Sequence, residues 1–136
     1  MSTQRQQPEV IAAALGASTI AIVGLSSNSM RPSYGVAEYL INAGFEVIPV
    51  NPREQEVLGL HCYASLAEVP VAIDMVDVFR ESSAVPDIAQ QAVAIGAKFL
   101  WLQLGVINDE GATIAEAGGM HCVMDLCTKI EHQLLL

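Results

Sequence analysis

Five short apolar runs punctuate the chain, at Thr19–Val23, Phe45–Val50, Ile73–Val78, Lys98–Leu104 and His121–Met124. Outside residues 53–72, each is followed by a segment of helical period. The runs are rich in Ile, Val and Leu and mostly lack polar–apolar alternation, as strands do when both of their faces are covered. Strand–helix alternation of this kind winds into a parallel sheet with helices on both sides. Right-handed crossovers then place all the strand carboxyl ends along one edge. Ligands bind there, where strand order reverses, next to the first strand.

The predicted fold class is therefore α/β, a three-layer Rossmann-like fold with a mostly parallel five-stranded sheet. Residues 1–17 are read as an N-terminal helical extension, with a helix over Pro8–Leu15, and 18–136 as the domain. Ser33 follows Pro32 as the expected N-cap of a helix that carries Val36, Ala37, Leu40 and Ile41 on one face and stops at Gly44. Pro49 lacks a ladder donor and predicts weak pairing at that end of the second strand. A short strand over Val57–Tyr63 and a helical turn over Ser65–Val69 are expected next. Helices over Pro86–Ile95, over Asp109–Ala117 capped by Asn108, and from an Asp125 cap to Leu134 complete the order.

A chain of 136 residues is long enough to bury one core. No apolar run approaches the ~20 residues of a membrane helix, and the polar start Met-Ser-Thr-Gln-Arg does not read as a secretory leader. A cytoplasmic protein is expected. The formal net charge of −9 argues against nucleic acid and anionic membranes as partners, since both demand basic surface. Cys62, Cys122 and Cys127 lack metal or disulfide spacing and read as buried thiols. Cys127, near the start of the last helix, is the one of them that a helix dipole could activate.

The loop after the first strand reads Gly24-Leu25-Ser26-Ser27-Asn28-Ser29-Met30-Arg31-Pro32-Ser33-Tyr34-Gly35. Gly24 permits close backbone approach, the serines and Asn28 offer donors, and the following helix start attracts anions. With Arg31 beside it, the loop suits a pyrophosphate. It is not Gly-x-Gly-x-x-Gly. The second strand ends in Asn51-Pro52-Arg53, without the acidic residue that bonds a free ribose in NAD-binding domains. Arg53 suits a phosphorylated ribose instead, and NADP and coenzyme A (CoA) both carry one. The chain has only six Lys and Arg. Of these, Arg31, Arg53 and Arg80 follow the ends of the first three core strands and gather on the expected binding edge. Phe79 can pack on an adenine or an apolar arm or simply close the core, and Gln103 can bond a ligand amide or cap its strand.

Catalytic patterns are thin. His61, His121 and His132 are dispersed, no metal spacing occurs, and no Gly-x-Ser-x-Gly elbow is present. Asp74 and Asp77 fall on opposite faces of one strand and form no carboxylate pair. An NADP-binding small oxidoreductase stays open as an alternative reading of these residues.

Several segments together carry a resemblance: Ala21-Ile-Val-Gly-Leu-Ser26, Arg31-Pro-Ser-Tyr34, Val47-Ile-Pro-Val-Asn-Pro52, Val76-Asp-Val-Phe-Arg80, Trp101-Leu-Gln-Leu-Gly105 and Val123-Met-Asp125 with Cys127 and Lys129-Ile-Glu-His132. The chain resembles the small stand-alone CoA-binding proteins of bacteria and archaea. It is similar in fold to the CoA-binding domain of succinyl-CoA synthetase alpha subunits and ADP-forming acyl-CoA synthetases. The resemblance implies CoA or acyl-CoA as ligand. It places Gly24, Leu25 and Ser26 with Arg31, Pro32, Ser33 and Tyr34 at the phosphates, where Ser27 is a further donor read from the loop itself. Asn51 and Pro52 then lie by the adenosine end, and Val78, Phe79 and Arg80 along the cofactor. Leu126 departs from the pattern, standing where the family often has Arg. Those synthetases also use a phosphohistidine on another domain and an ATP-grasp partner. The expected role is thus non-catalytic binding by a carrier, sensor or regulatory module. A subunit that needs an ATP-grasp partner to act is an alternative, and a homodimer is an option for so apolar a chain.

Overall fold

The first strand, β1 (Thr19–Val23), is buried at every position, which explains its unbroken apolar run. The computed structural model describes residues 7–136 and so leaves the first six residues of the expected extension, Arg5 among them, outside the description. Strands β2 (Glu46–Val50), β3 (Glu56–Val57), β4 (Leu60–His61), β5 (Met75–Val78), β6 (Phe99–Leu102) and β7 (His121–Val123) follow. Helices are α1 (Pro8–Ala14), α2 (Pro32–Asn42), α3 (Val85–Ala94), α4 (Asp109–Ala117) and α5 (Thr128–Leu135). The main sheet has five strands in the order β2-β1-β5-β6-β7, all parallel.

Strand pleating divides the core in two. Ala21, Val23, Ile48, Val50, Val76, Val78, Leu100 and Leu102 face α3 and α4. Ile20, Ile22, Val47, Met75, Trp101 and Val123 face the other side, with Ala14 of α1, Leu15 just after it, and Val36, Ala37 and Leu40 of α2. Both faces are covered, so the layers are three, as the sequence predicts. The chain leaves β1 toward β2 and later returns to β5 on β1's other flank. Strand order thus reverses between β1 and β5.

Four local expectations are corrected. Pro49 does not weaken β2. Its carbonyl turns outward to accept the Tyr63 N–H (3.0 Å). The missing N–H therefore lies on the outer edge as well, and the register with β1 runs on to Val23–Val50. The single strand expected over Val57–Tyr63 is instead a β3–β4 hairpin turning at Leu58 and Gly59, both with positive φ. Arg31, not Ser33, is the N-cap of α2, because Pro32 fills the first helical turn without needing a donor. Asp125 is not the cap of α5 either. It sits at φ 61° and accepts the Gly105 N–H (2.8 Å), while Cys127 takes the cap position.

Candidate functional site

The carboxyl ends of β1 and β5 touch at Gly24. An ideal Cβ on Gly24 would collide with the Phe79 carbonyl oxygen, and its φ of +88° is one that L side chains rarely adopt. The glycine is thus demanded by the neighbouring strand's backbone, a reason the sequence alone did not supply. Gly24 N–H donates to Val50 O (2.8 Å) and Phe79 N–H to Val23 O (2.9 Å), which pins three strand ends together.

A cleft opens over this junction in two connected parts that share Gly24, Asn51 and Arg53. The part on the α2 side holds about 300 Å³ and is lined by Ser26, Arg31, Pro32, Ser33, Glu54 and Phe79 besides the shared three. The part on the α3 side holds about 550 Å³. Its floor is apolar, with Val23, Val50, Leu66 and Ile88, and its rim carries Pro52, Arg80, Glu81, Asp87 and Gln91. Arg53 therefore faces both parts, with Arg31 in one and Arg80 in the other.

Local bonds shape this lining. Asn51 Nδ2 donates to Leu25 O (3.1 Å) and its Oδ1 accepts the Arg53 N–H (2.9 Å), so a side-chain turn ties β2's end to the β1 loop. Ser33 Oγ accepts the Ser26 N–H (3.1 Å), and Ser26 Oγ accepts the Asn28 N–H (3.0 Å). Arg80 donates to both carboxylate oxygens of Glu81, at 3.0 and 3.3 Å. That pairing holds the Glu81 carboxyl below its usual range.

Of the residues expected at the site, Gly24, Ser26, Arg31, Pro32, Ser33, Asn51, Pro52, Arg53, Phe79 and Arg80 line the cleft. Leu25 and Val78 are fully buried in the core, and Tyr34 packs against it. Ser27 bonds Glu54 just beyond the lining. Gln103 points inward, where its Oε1 accepts from Thr128 N (3.1 Å) and Oγ1 (3.0 Å). Glu54, Ser65, Glu81, Asp87 and Gln91 line the cleft without having been expected there. Glu54 directly follows Arg53 and Glu81 directly follows Arg80, a signal the sequence did offer; the others arrive through tertiary folding.

Beneath the site, Asp77 is wholly buried between β1 and β6. Thr128 Oγ1 lies 3.2 Å from Asp77 Oδ2 and 3.0 Å from Gln103 Oε1. Oδ1 has no partner. Burial pushes the Asp77 carboxyl well above its usual range. A neutral Asp77 completes the chain of bonds: its proton goes to Thr128 Oγ1, and the single Thr128 hydroxyl proton goes to Gln103.

No histidine or cysteine lines either part of the cleft. The three cysteines are free and buried, as expected. His121 instead stacks on Phe99, while His61 and His132 meet Tyr63 and Tyr39 edge-on. No group of three metal-ligating side chains occurs among the described residues, and none of the described helices is long and apolar enough to cross a membrane.

A five-stranded parallel sheet between helical layers, with its strand order reversing beside β1, defines a Rossmann-like α/β domain. Within that class the chain belongs to the CoA binding domain family, whose sequence model matches residues 18–133. It is 40% identical over 113 residues to the "Uncharacterized protein YneT" of Bacillus subtilis (strain 168), spanning 83% of this chain and 84% of that one. It is 27% identical over 100 residues to the "Acetate--CoA ligase [ADP-forming] II" of Archaeoglobus fulgidus, covering 72% of this chain and only 15% of the ligase. Among solved structures, a "hypothetical protein from Pyrococcus horikoshii OT3" superposes with a TM-score of 0.94 at 34% identity, covering 99% of this chain and 96% of that one.

Proposed function

We propose that the chain binds CoA or an acyl-CoA without transforming it, as a carrier, sensor or regulatory module. The observation that carries this reading is the arginine distribution. Three of the six basic residues of an acidic chain line one cleft at the strand-order switch point. Their division between the two parts of the cleft suits a ligand with phosphates in two places, as CoA has in its pyrophosphate and its ribose phosphate. Arg31 and the start of α2 would hold one group. Arg53 would meet the other, and the apolar floor of the larger part would take an uncharged portion. The absence of histidine and cysteine from the lining supports binding over reaction. Family membership supports the ligand class.

The test is thermal stabilisation by CoA, acetyl-CoA, NAD and NADP in parallel, because a ligand that binds only the folded state stabilises it by mass action. At a hundredfold excess over Kd, CoA is expected to add about 2.7 kcal/mol, and Arg31→Ala is expected to lose most of that gain. A clear response to NADP with none to CoA would favour a small NADP-dependent oxidoreductase and sink this reading.

The likeness to acetate–CoA ligases, of which this chain covers a small part, favours one second reading. In it the chain is the CoA-binding subunit of an acyl-CoA synthetase completed by an ATP-grasp partner. Co-purification with such a partner, and ATP-dependent acyl-CoA formation by the pair alone, would establish it.

A further inference from the structure

The α2-side part of the cleft already contains an anion that belongs to the chain. Glu54 reaches across from the segment after β2, and its Oε2 accepts both the Ser27 N–H (2.9 Å) and the Ser27 hydroxyl (3.0 Å). The backbone and hydroxyl donors of a glycine-led strand–helix loop are the groups such loops offer to phosphates. The two bonds hold the Glu54 carboxyl below its usual range, as expected of a charged acceptor in place. Arg31 and Arg53 line the same part of the cleft. Glu54 nevertheless bonds Ser27 rather than either guanidinium. The neighbouring loop amides are also occupied from within: Ser26 by Ser33 Oγ, Asn28 by Ser26 Oγ and Met30 by Asn28 Oδ1. Of these acceptors, only Glu54 bears a full charge.

We infer that Glu54 is an internal stand-in for a ligand phosphate, seated on Ser27 and displaced when the anionic ligand enters. This rests on the binding role proposed above and names a specificity-determining residue for that same cleft. Two consequences separate it from a simple brace. Glu54 opposes ligands in proportion to the negative charge they bring to this part of the cleft, and it leaves uncharged fragments alone. Removing its charge therefore strengthens binding of the whole cofactor. A residue that merely ordered the loop would weaken binding when lost.

Calorimetric titration of the wild type, Glu54→Gln and Glu54→Ala with CoA and with pantetheine, which lacks the phosphates, tests this. Glu54→Gln keeps an acceptor for Ser27 and removes only the charge, so loop order is preserved while competition ends. Both variants are expected to bind CoA about five- to tenfold more tightly, the weight of one exposed charge-assisted contact, with pantetheine unchanged. The Ser27 amide resonance of the wild type is expected to shift on adding CoA as its acceptor changes. Wild-type CoA binding that either variant leaves equal or weaker makes Glu54 a brace and overturns the inference while the CoA reading stands. Equal strengthening for pantetheine also overturns it, since charge would not be the cause. No CoA binding by any of the three proteins overturns the CoA reading, and the inference with it.

Discussion

Gly24 and Asp77 show how single residues set what the binding edge can be. At Gly24 a methyl group would strike the Phe79 carbonyl oxygen, and the backbone would be strained at φ +88°. Gly24→Ala is therefore expected to cost about 2 kcal/mol or more in urea unfolding, as overpacking against fixed backbone does. A loss below roughly 0.5 kcal/mol, the size of an ordinary surface substitution, would mean that β1 and β5 can separate freely. Asp77 acts through its proton. Burial raises its folded-state pKa above the unfolded value, near 3.8. Its contribution to stability is then full below that value and is lost as pH rises toward the folded pKa. Asp77→Asn removes the titration, so its Tm relative to wild type is expected to climb steadily from pH 4 to pH 8. A difference that stays flat, or falls, would show that Asp77 is ionised in the folded protein throughout. Neither property is written in the local sequence. Gly24 is legible as a loop glycine, but the neighbour that requires it lies 55 positions away, and Asp77 reads as polar until its burial is known.

Elements were the most legible scale, because the physics that makes them is local. A strand covered on both faces must be apolar throughout, and β1 declares itself for that reason. The cap at Asn108 is similarly local, since its Oδ1 accepts the Gly111 N–H at 2.7 Å. Its Nδ2 also donates to Ser82 O (2.9 Å), which ties the start of α4 to the turn leading into α3. Asn108→Ala is expected to cost about 1–2 kcal/mol in chemical denaturation, and Asn108→Asp, which keeps the acceptor, to recover part of it. Equal losses for the two would place the value of Asn108 in the Ser82 bond alone. Element boundaries were less legible where partners come from elsewhere. Ser33 looks like a cap by composition, yet its hydroxyl serves Ser26. Asp125 looks like one too, yet it holds Gly105. The outward turn of Pro49 depends on Tyr63 pairing along the sheet edge, which no local pattern announces.

The whole molecule decides which parts meet. The sequence places Arg31, Arg53 and Arg80 after three strands, and the order β2-β1-β5 sets those strand ends side by side. Their convergence could be foreseen because the common doubly wound orders all set the second and third core strands on either side of the first or along the same carboxyl edge. The bond of Glu54 to Ser27 could not, since it depends on the path of residues 51–74 outside the main sheet. The sheet also determines where the one tryptophan lies. Trp101 is fully buried on the α2 side beside Asp77, with its Nε1 donating to Leu126 O at 2.7 Å. It lines neither part of the cleft. Its fluorescence is expected to be blue-shifted in the native protein, to stay so when CoA is added, and to move to longer wavelength on denaturation. Emission already at the wavelength of free tryptophan would contradict its burial. The protein thus carries a built-in optical gauge of folding set apart from the cleft, so unfolding curves with and without CoA can be read from one signal.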